Sequence, residues 1–313
     1  MATVVVTGAA GGLGSNVVEA AVLAGHEVRA VVRRAGRTRF PDGVRVIEAD
    51  AGDPVALARA LDGAAALYHM VNVSFDADWM AATRRLLDVA IAACAASGAR
   101  LVFPGNVWIY GRGRPGDRVP EDRVPSPCST KGAARLAKER ALEASGARFV
   151  IVRLPEFYGP HVATLTGPPL LRVSTGRTAT WFGPGDAEVE FVYMPDAARA
   201  LVTIGVADGV DGARFHVAGV EPTTPRRFFA RAIEVAGGGS LRVVPAWVPR
   251  VASPFSAMAR GFADILHLWE HPVLLDGSAV HARFPGLRAT PYEEGLRETI
   301  AWLRANPGAK MYF

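Results

Sequence analysis

The chain has 313 residues, 50% of them hydrophobic and 21% charged, which allows a large core and excludes a disordered polypeptide. Its formal charge of +5 comes from 35 Lys and Arg against 30 Asp and Glu, spread without a run, whereas a nucleic-acid binder clusters its charge. Two cysteines, Cys94 and Cys128, are too few for a disulfide framework and lack metal-ligand spacing. With no signal-peptide pattern and no window of ~20 apolar residues, a cytoplasmic protein without a membrane partner is expected.

Thr3 to Val6 is a short β-branched apolar run, as in a strand buried on both faces. Gly8 to Gly14 forms a turn, Ser15 to Ala24 a helix stopped by Gly25, and Val28 to Val32 a second strand. That order is the opening βαβ unit of a doubly wound sheet. Val44 to Ile47 is a third strand, Val55 to Leu61 a helix, Ala65 to His69 a fourth strand and Asp78 to Ser97 a long helix. Leu101 to Phe103 is a fifth strand, and Phe149 to Arg153 a sixth. Between them an alanine-rich helix is expected over Pro127 to Ser145, with Ser126 as its N-cap. The rhythm lapses between Gly159 and Gly185, returning with a helix over Pro195 to Ala207 and a strand over Arg214 to Val217. Thr224-Pro225 and Thr290-Pro291 each look like an N-cap followed by proline at the first helical position. Glu293 completes a capping box with Thr290, opening a last helix over Pro291 to Ala305. The fold class is α/β: a Rossmann-type doubly wound parallel sheet with a smaller C-terminal α/β lobe. Residues 1–155 are expected to form the dinucleotide-binding domain, with 189–220 returning to its sheet, and 156–313 mainly the substrate lobe.

Thr7-Gly8-Ala9-Ala10-Gly11-Gly12-Leu13-Gly14 carries the spacing G-x-x-G-x-x-G. Gly8 permits the tight turn out of the strand, Gly11 lets the backbone approach a pyrophosphate, and Gly14 lets helix and strand pack closely. The amides of this turn, among them those of Ala10, Gly12 and Leu13, then face a diphosphate at the positive end of the helix. A lone glycine pattern says little, but this one follows a strand and opens a helix. The second strand ends on Arg33 and Arg34 with no acid beside them. Arginine accommodates a 2′-phosphate where an acid accepts from a ribose hydroxyl, so NADP is expected, with NAD as the alternative.

With these landmarks the sequence resembles the extended short-chain dehydrogenase/reductases, in an atypical form within the NAD-dependent epimerase/dehydratase branch. Further supporting residues are Glu48-Ala49-Asp50, Asn106-x-x-x-Tyr110-Gly111, Arg153-Leu154-Pro155-x-Phe157-Tyr158-Gly159-Pro160 and Phe191-Val192-Tyr193-x-x-Asp196. The resemblance implies that Asp50 with Ala51 lies near the adenine and Met70 along the cofactor. It also implies that the segment from Pro155 lines the nicotinamide and substrate side. Relatives pair through two long helices, which implies a homodimer here.

The family uses a serine or threonine after the fifth strand and a Tyr-x-x-x-Lys pair on the next helix, the tyrosine serving as acid or base. Here the serine position holds Asn106. Lys131 stands where the family has lysine, Pro127 stands four residues before it, and no tyrosine precedes any of the three lysines by four. Lys131 holds a nicotinamide ribose or is an exposed helix lysine. Asn106 polarises a carbonyl or caps a turn. The candidates for the vacant acid are Tyr110, Tyr158, Glu156, Cys128 and Ser129, each with packing as its plainer role. His69 is read as a backbone-bonded structural histidine. His161, His267 and His271 form no metal set, so no metal is expected, and Trp181, Trp247 and Trp269 are an aromatic pocket or simply core. Three functions follow: an NAD(P)-dependent oxidoreductase or epimerase-type enzyme on a carbonyl or alcohol of a small-molecule substrate; a redox-neutral isomerase, lyase or cyclase; or a nucleotide-sensing regulator.

Overall fold

A computed structural model describes residues 1–36, 38–73, 79–162 and 164–308, without the side chains of 257 and 258. In chain order the elements are β1 (Thr3–Thr7), α1 (Gly12–Leu23), β2 (Glu27–Val32), β3 (Arg45–Glu48), α2 (Pro54–Ala60), β4 (Ala66–His69), α3 (Trp79–Ser97) and β5 (Arg100–Asn106). A 3-10 helix (Val107–Tyr110) leads to β6 (Arg118–Val119), α4 (Thr130–Glu143), β7 (Phe149–Leu154), β8 (Glu156–Tyr158), α5 (Gly167–Ser174), β9 (Thr178–Phe182), β10 (Phe191–Tyr193), α6 (Met194–Val206) and β11 (Arg214–His216). The remainder is α7 (Pro225–Ala236), β12 (Ser240–Val244), α8 (Trp247–Ala252), α9 (Ala257–Ala263), α10 (His267–Glu270), β13 (Leu274–Leu275), α11 (Ser278–Arg283) and α12 (Tyr292–Ala305). These fall into two compact units. The first comprises Met1–Gly105, Ala137–Arg153 and Pro195–Phe215; the second comprises Asn106–Leu136, Leu154–Met194 and His216–Phe313.

The first unit is built on a seven-stranded sheet of order β11-β7-β5-β4-β1-β2-β3. Pairing is parallel at β1 with β2, β1 with β4, β2 with β3 and β4 with β5. Val4, Val5 and Val6 of β1 are wholly buried, as a parallel strand covered on both faces requires. One layer of the core packs Val5, Leu67, Leu101 and Ile151 against Leu57, Leu87, Ala90 and Leu142 from the helices. Because β1 is followed by β2 on one side and flanked by β4 on the other, strand order reverses between β1 and β4. The carboxyl ends of those two strands are where open α/β sheets receive ligands.

The second unit contains three parallel two-stranded pairs, β8 with β10, β9 with β12 and β6 with β13. Its core is aromatic, joining Tyr158, Trp181, Phe191, Phe228, Phe229, Trp269 and Tyr292. The Thr224 hydroxyl accepts the Arg227 N–H at 3.2 Å, so α7 opens with the expected cap and Pro225 in its first turn. The span that lost its rhythm in the sequence holds α5 and β9. β9 pairs with β12 some sixty residues later, a partner that no local pattern reveals.

Helix starts differ from expectation by one residue at α2 (Pro54) and α6 (Met194), and elsewhere in their capping. α1 begins at Gly12 rather than Ser15, because Gly11 is its extended N-cap (φ −83°, ψ 169°). α4 begins at Thr130 rather than Pro127; the Ser129 carbonyl accepts from Ala133 and its hydroxyl from Gly132, so Ser129 starts the helix and Ser126 does not. α12 has Pro291 itself as its N-cap (φ −55°, ψ 145°), one residue later than the Thr290 cap expected. Asp78, the expected start of the long helix now seen as α3, lies outside the described residues, as do Lys310 and Tyr312.

Candidate functional site

In the first unit the turn after β1 is fixed by its own backbone. Gly8 has φ +69°, and a Cβ placed there would lie 2.6 Å from the Met70 carbonyl oxygen, beyond the end of β4. A Cβ on Gly14 would lie 2.1 Å from the Gly8 carbonyl oxygen, so Gly14 lets α1 lie directly against the turn. The Gly11 N–H donates to Gly8 O at 2.9 Å, and the first intrahelical bond runs from Ser15 N–H to Gly11 O at 2.8 Å. The first-turn N–H groups of Gly12, Leu13 and Gly14 therefore point out of the helix end. No side chain caps them and the first turn holds no acid. An uncapped positive helix end beside backbone too close for any Cβ fits the diphosphate of a dinucleotide. Ala10 is exposed on the same turn, and Met70, bonded through its N–H to Thr7 O, is buried beside it.

Arg33 and Arg34 are exposed just past β2, and neither makes a hydrogen bond or ion pair with another described residue. Glu48, at the end of β3, accepts the Ala35 N–H at 2.8 Å and so holds the turn that carries them. Asp50 is exposed after β3, its carboxylate accepting from Gly52 N–H at 2.7 Å, with Ala51 half-buried next to it. His69 is buried at the end of β4 with Nδ1 3.2 Å from the Thr7 hydroxyl, a side-chain rather than a backbone partner. Burial, aided by the Lys138 ammonium, pushes its imidazole down to about 4, so it is neutral near pH 7.

The second unit gathers a different set. Asn106 Oδ1 accepts the Trp108 N–H at 3.2 Å, capping the 3-10 helix, and its Nδ2 donates to no described residue. The cap and the donor thus coexist on one side chain. Lys131 lies in the first turn of α4, half-buried, with Nζ 3.0 Å from the Gly261 carbonyl oxygen. The Asp264 carboxylate accepts both the Thr130 and Lys131 backbone N–H groups at 3.2 Å. Burial lowers the Lys131 ammonium from its ordinary range and the Asp264 charge opposes that shift, leaving it lowered. The glycine at 132 admits the carbonyl of Trp108, which would be 2.5 Å from a Cβ. One turn along, the Arg135 guanidinium stands 5.7 Å above the Trp108 ring. Sequence reasoning missed Arg135, Trp108, Gly261 and Asp264. Arg135 was within reach from Lys131 by four-residue spacing, but only with the helix start known.

Glu156, just after the buried Pro155, accepts the Leu165 N–H at 3.1 Å. Burial pushes its carboxyl up to about 7 against the hydrogen bonds from Thr164 and the backbone. The Tyr110 hydroxyl is 2.7 Å from His216 Nε2, while His216 Nδ1 is 2.9 Å from the Val119 carbonyl. A carbonyl only accepts, so Nδ1 carries the hydrogen and Tyr110 donates to Nε2. Tyr158 leaves the list of candidate acids. It is 1% exposed, ringed by Tyr193, Phe228 and Tyr292 at 5.2–5.7 Å. Ser129 is occupied as a helix cap, and Cys128 is exposed. Trp181 and Trp269 pack at 4.7 Å in the core while Trp247 is exposed, so the three tryptophans form no common pocket. Among the described residues no group of His, Cys, Asp and Glu could hold a metal, and no helix is long and apolar enough to cross a membrane.

Comparison with known proteins agrees with this geometry. The model of the NAD dependent epimerase/dehydratase family matches residues 4–218. A 2-alkyl-3-oxoalkanoate reductase of Stenotrophomonas maltophilia (strain K279a) is 28% identical over 296 residues, covering 87% of this chain and 86% of that protein. The UDP-glucose 4-epimerase of Thermus thermophilus, solved with NAD, superposes with a TM-score of 0.78 at 23% identity, covering 98% of this chain and 100% of that one. A dTDP-glucose 4,6-dehydratase of Streptomyces venezuelae, also solved with NAD, gives 0.78 at 21% identity over 98% of each chain.

Proposed function

The chain belongs to the NAD dependent epimerase/dehydratase family, and on that premise we propose that it is an NADP-dependent oxidoreductase acting on a carbonyl or alcohol of a small metabolite. One observation carries the cofactor part: an uncapped helix end at the β1–β4 reversal, with Arg33 and Arg34 past β2 and Glu48 turned onto the Ala35 N–H. In this reading Gly12, Leu13 and Gly14 hold the diphosphate through their N–H groups, and Arg33 and Arg34 hold the 2′-phosphate. Asp50 and Ala51 flank the adenine, and Met70 lies along the nucleotide. Bound NADPH supplies a hydride to a carbonyl carbon. The Asn106 amide donates to the carbonyl oxygen and stabilises the charge that develops there. The raised Glu156 carboxyl keeps a proton near neutrality on the segment expected to line the substrate.

The reductase relative supports redox turnover and puts 3-oxo acids first among trial substrates. The test is the absorbance of NADPH with purified protein and a panel of 3-oxo acids, ketones and aldehydes, with product identified by mass spectrometry. Oxidation of NADPH matched to alcohol formed is expected. Product without net oxidation would transfer the chain to redox-neutral chemistry, and binding without product would make it a sensor. A homodimer paired through α3 and α4 belongs to the same proposal; sedimentation velocity should give twice the 33.1 kDa chain mass.

A further inference from the structure

Three large apolar side chains of the second unit stand in solvent between residues 247 and 255: Trp247 is 62% exposed, Val251 64% and Phe255 91%. Trp247 and Val251 are four residues apart on α8 and so share its outer face, while Pro249 between them is buried. Phe255 follows in the turn after α8, and that turn is held by hydrogen bonds. The Phe255 N–H donates to Ala252 O at 3.1 Å, the Ser253 N–H to Arg250 O at 3.2 Å, and Arg260 Nε to Ser253 O at 3.3 Å. The Ser256 hydroxyl then accepts the Ala259 N–H at 3.3 Å and opens α9. A bonded framework thus presents these apolar groups outward. Apolar side chains clustered in solvent mark an interaction surface, where scattered ones do not.

The charge around this segment has one sign. Residues 235–263 contain Arg242, Arg250 and Arg260 and no Asp or Glu. The two acids that follow are engaged: Asp264 accepts the Thr130 and Lys131 backbone N–H groups, and Glu270 takes the Arg250 guanidinium at 2.8 Å. Arg242 on β12 and Arg260 on α9 are exposed, and neither pairs with a described acid. We propose that the segment from Trp247 to Phe255 is a peripheral docking surface for an anionic lipid bilayer. Trp247, Val251 and Phe255 enter the interface, and Arg242 and Arg260 meet the lipid phosphates and carboxylates. Phe255 has almost no contact with its own chain, as suits a side chain that wedges into lipid. The Trp247 indole has an N–H for the headgroup layer and a ring for the acyl boundary. The apolar and the electrostatic signal are each weak alone, and together they hold a protein at a membrane surface. No helix among the described residues is long and apolar enough to cross a membrane, so the attachment lies on the surface and is reversible. The proposal stands apart from the oxidoreductase reading.

The test is co-sedimentation of the full chain with vesicles of phosphatidylcholine, and with vesicles of phosphatidylcholine mixed with phosphatidylserine. Partition onto the anionic vesicles is expected to exceed that onto the neutral ones by about tenfold or more, and to weaken as NaCl is raised. Trp247→Ser with Phe255→Ser should cut anionic binding by ~10-fold or more. Arg242→Gln with Arg260→Gln should remove most of the preference for phosphatidylserine. Leu23→Ser, which removes an apolar residue 86% exposed in the first unit, should change nothing. An unchanged Tm shows that each variant keeps its fold; if the apolar pair lowers it, the arginine pair and the salt dependence decide. Absence of wild-type binding to anionic vesicles overturns the proposal, as does equal binding to both vesicle types. Undiminished binding in a folded Trp247→Ser, Phe255→Ser variant overturns it too. Sedimentation velocity without lipid covers the rival occupant: a wild-type oligomer that is lost in Phe255→Ser, with no vesicle binding, would give this surface to a second copy of the chain.

Discussion

At Glu156 the carboxyl accepts the Leu165 N–H and is pushed up to about 7 by burial, so it stays protonated well above the usual carboxylate range. Folding thus strengthens its hold on a proton. Its contribution to stability is fully present below pH ~4.5 and is lost as pH rises through about 7. His69, pushed down to about 4, works the other way: its contribution is present above pH ~6.5 and is lost as pH falls toward 4. The two overlap, so the informative quantity is the difference between Glu156→Gln and the wild type. From pH 5 to pH 8 the wild type should lose ~1–3 kcal/mol relative to Glu156→Gln, measured by equilibrium urea unfolding. A constant difference across that range would place Glu156 in an ordinary aqueous setting. Gly14 makes a second residue-scale test. Gly14→Ala would put a Cβ 2.1 Å from Gly8 O, and the colliding atom is backbone; NADPH affinity should fall more than ~10-fold with a lowered Tm. Gly286→Ala, where a Cβ meets nothing within 4 Å, should change neither. The glycines were legible because their spacing falls between a strand and a helix, where a tight turn is required. Arg135 was not, since its register depends on a helix start set by Ser129 and by Asp264, more than a hundred residues away.

Elements whose own residues carry a strong local pattern were visible in the amino-acid sequence. β1, β2 and β7 are runs rich in valine and isoleucine, β4 is the short apolar run Ala66-Leu67-Tyr68-His69, and all four are wholly or largely buried; α7 announces itself with Thr224-Pro225 at its start and Gly237 in a left-handed conformation (φ 71°) at its end. Thr224→Ala should therefore cost ~1 kcal/mol of stability, read from the denaturation midpoint with an unchanged m-value. No change would mean the Arg227 N–H finds water instead. Elements without such a local pattern were not visible. β9 sits among glycines and prolines and is a strand through pairing with β12, and β6 with β13 is two residues paired with two. At Thr290-Pro291 the cap pattern misled, because Pro291 adopts an extended ψ of 145° and itself stands outside the helix.

Across the whole molecule the sheet order β11-β7-β5-β4-β1-β2-β3 places one reversal between β1 and β4, and the turn carrying Gly8, Gly11 and Gly14 leaves β1 at that point. Sheet class and the turn that leaves β1 were readable from about 40 residues of sequence, since a strand, a glycine turn and a helix already imply them. The grouping of residues 106–136 with the second unit was not, because their one strand, β6, is two residues long and pairs with β13 at Leu274–Leu275. The account stands on a dinucleotide held by the α1 amides and sorted by Arg33 and Arg34. Isothermal titration of the protein with NADPH and with NADH tests it most directly. NADPH should bind at least ~10-fold more tightly, a difference of ~1.5 kcal/mol or more for a charge-assisted contact to the 2′-phosphate, and Arg33→Asp should abolish the preference. Equal affinities in the wild type, or no binding of either nucleotide at millimolar concentration, would contradict it.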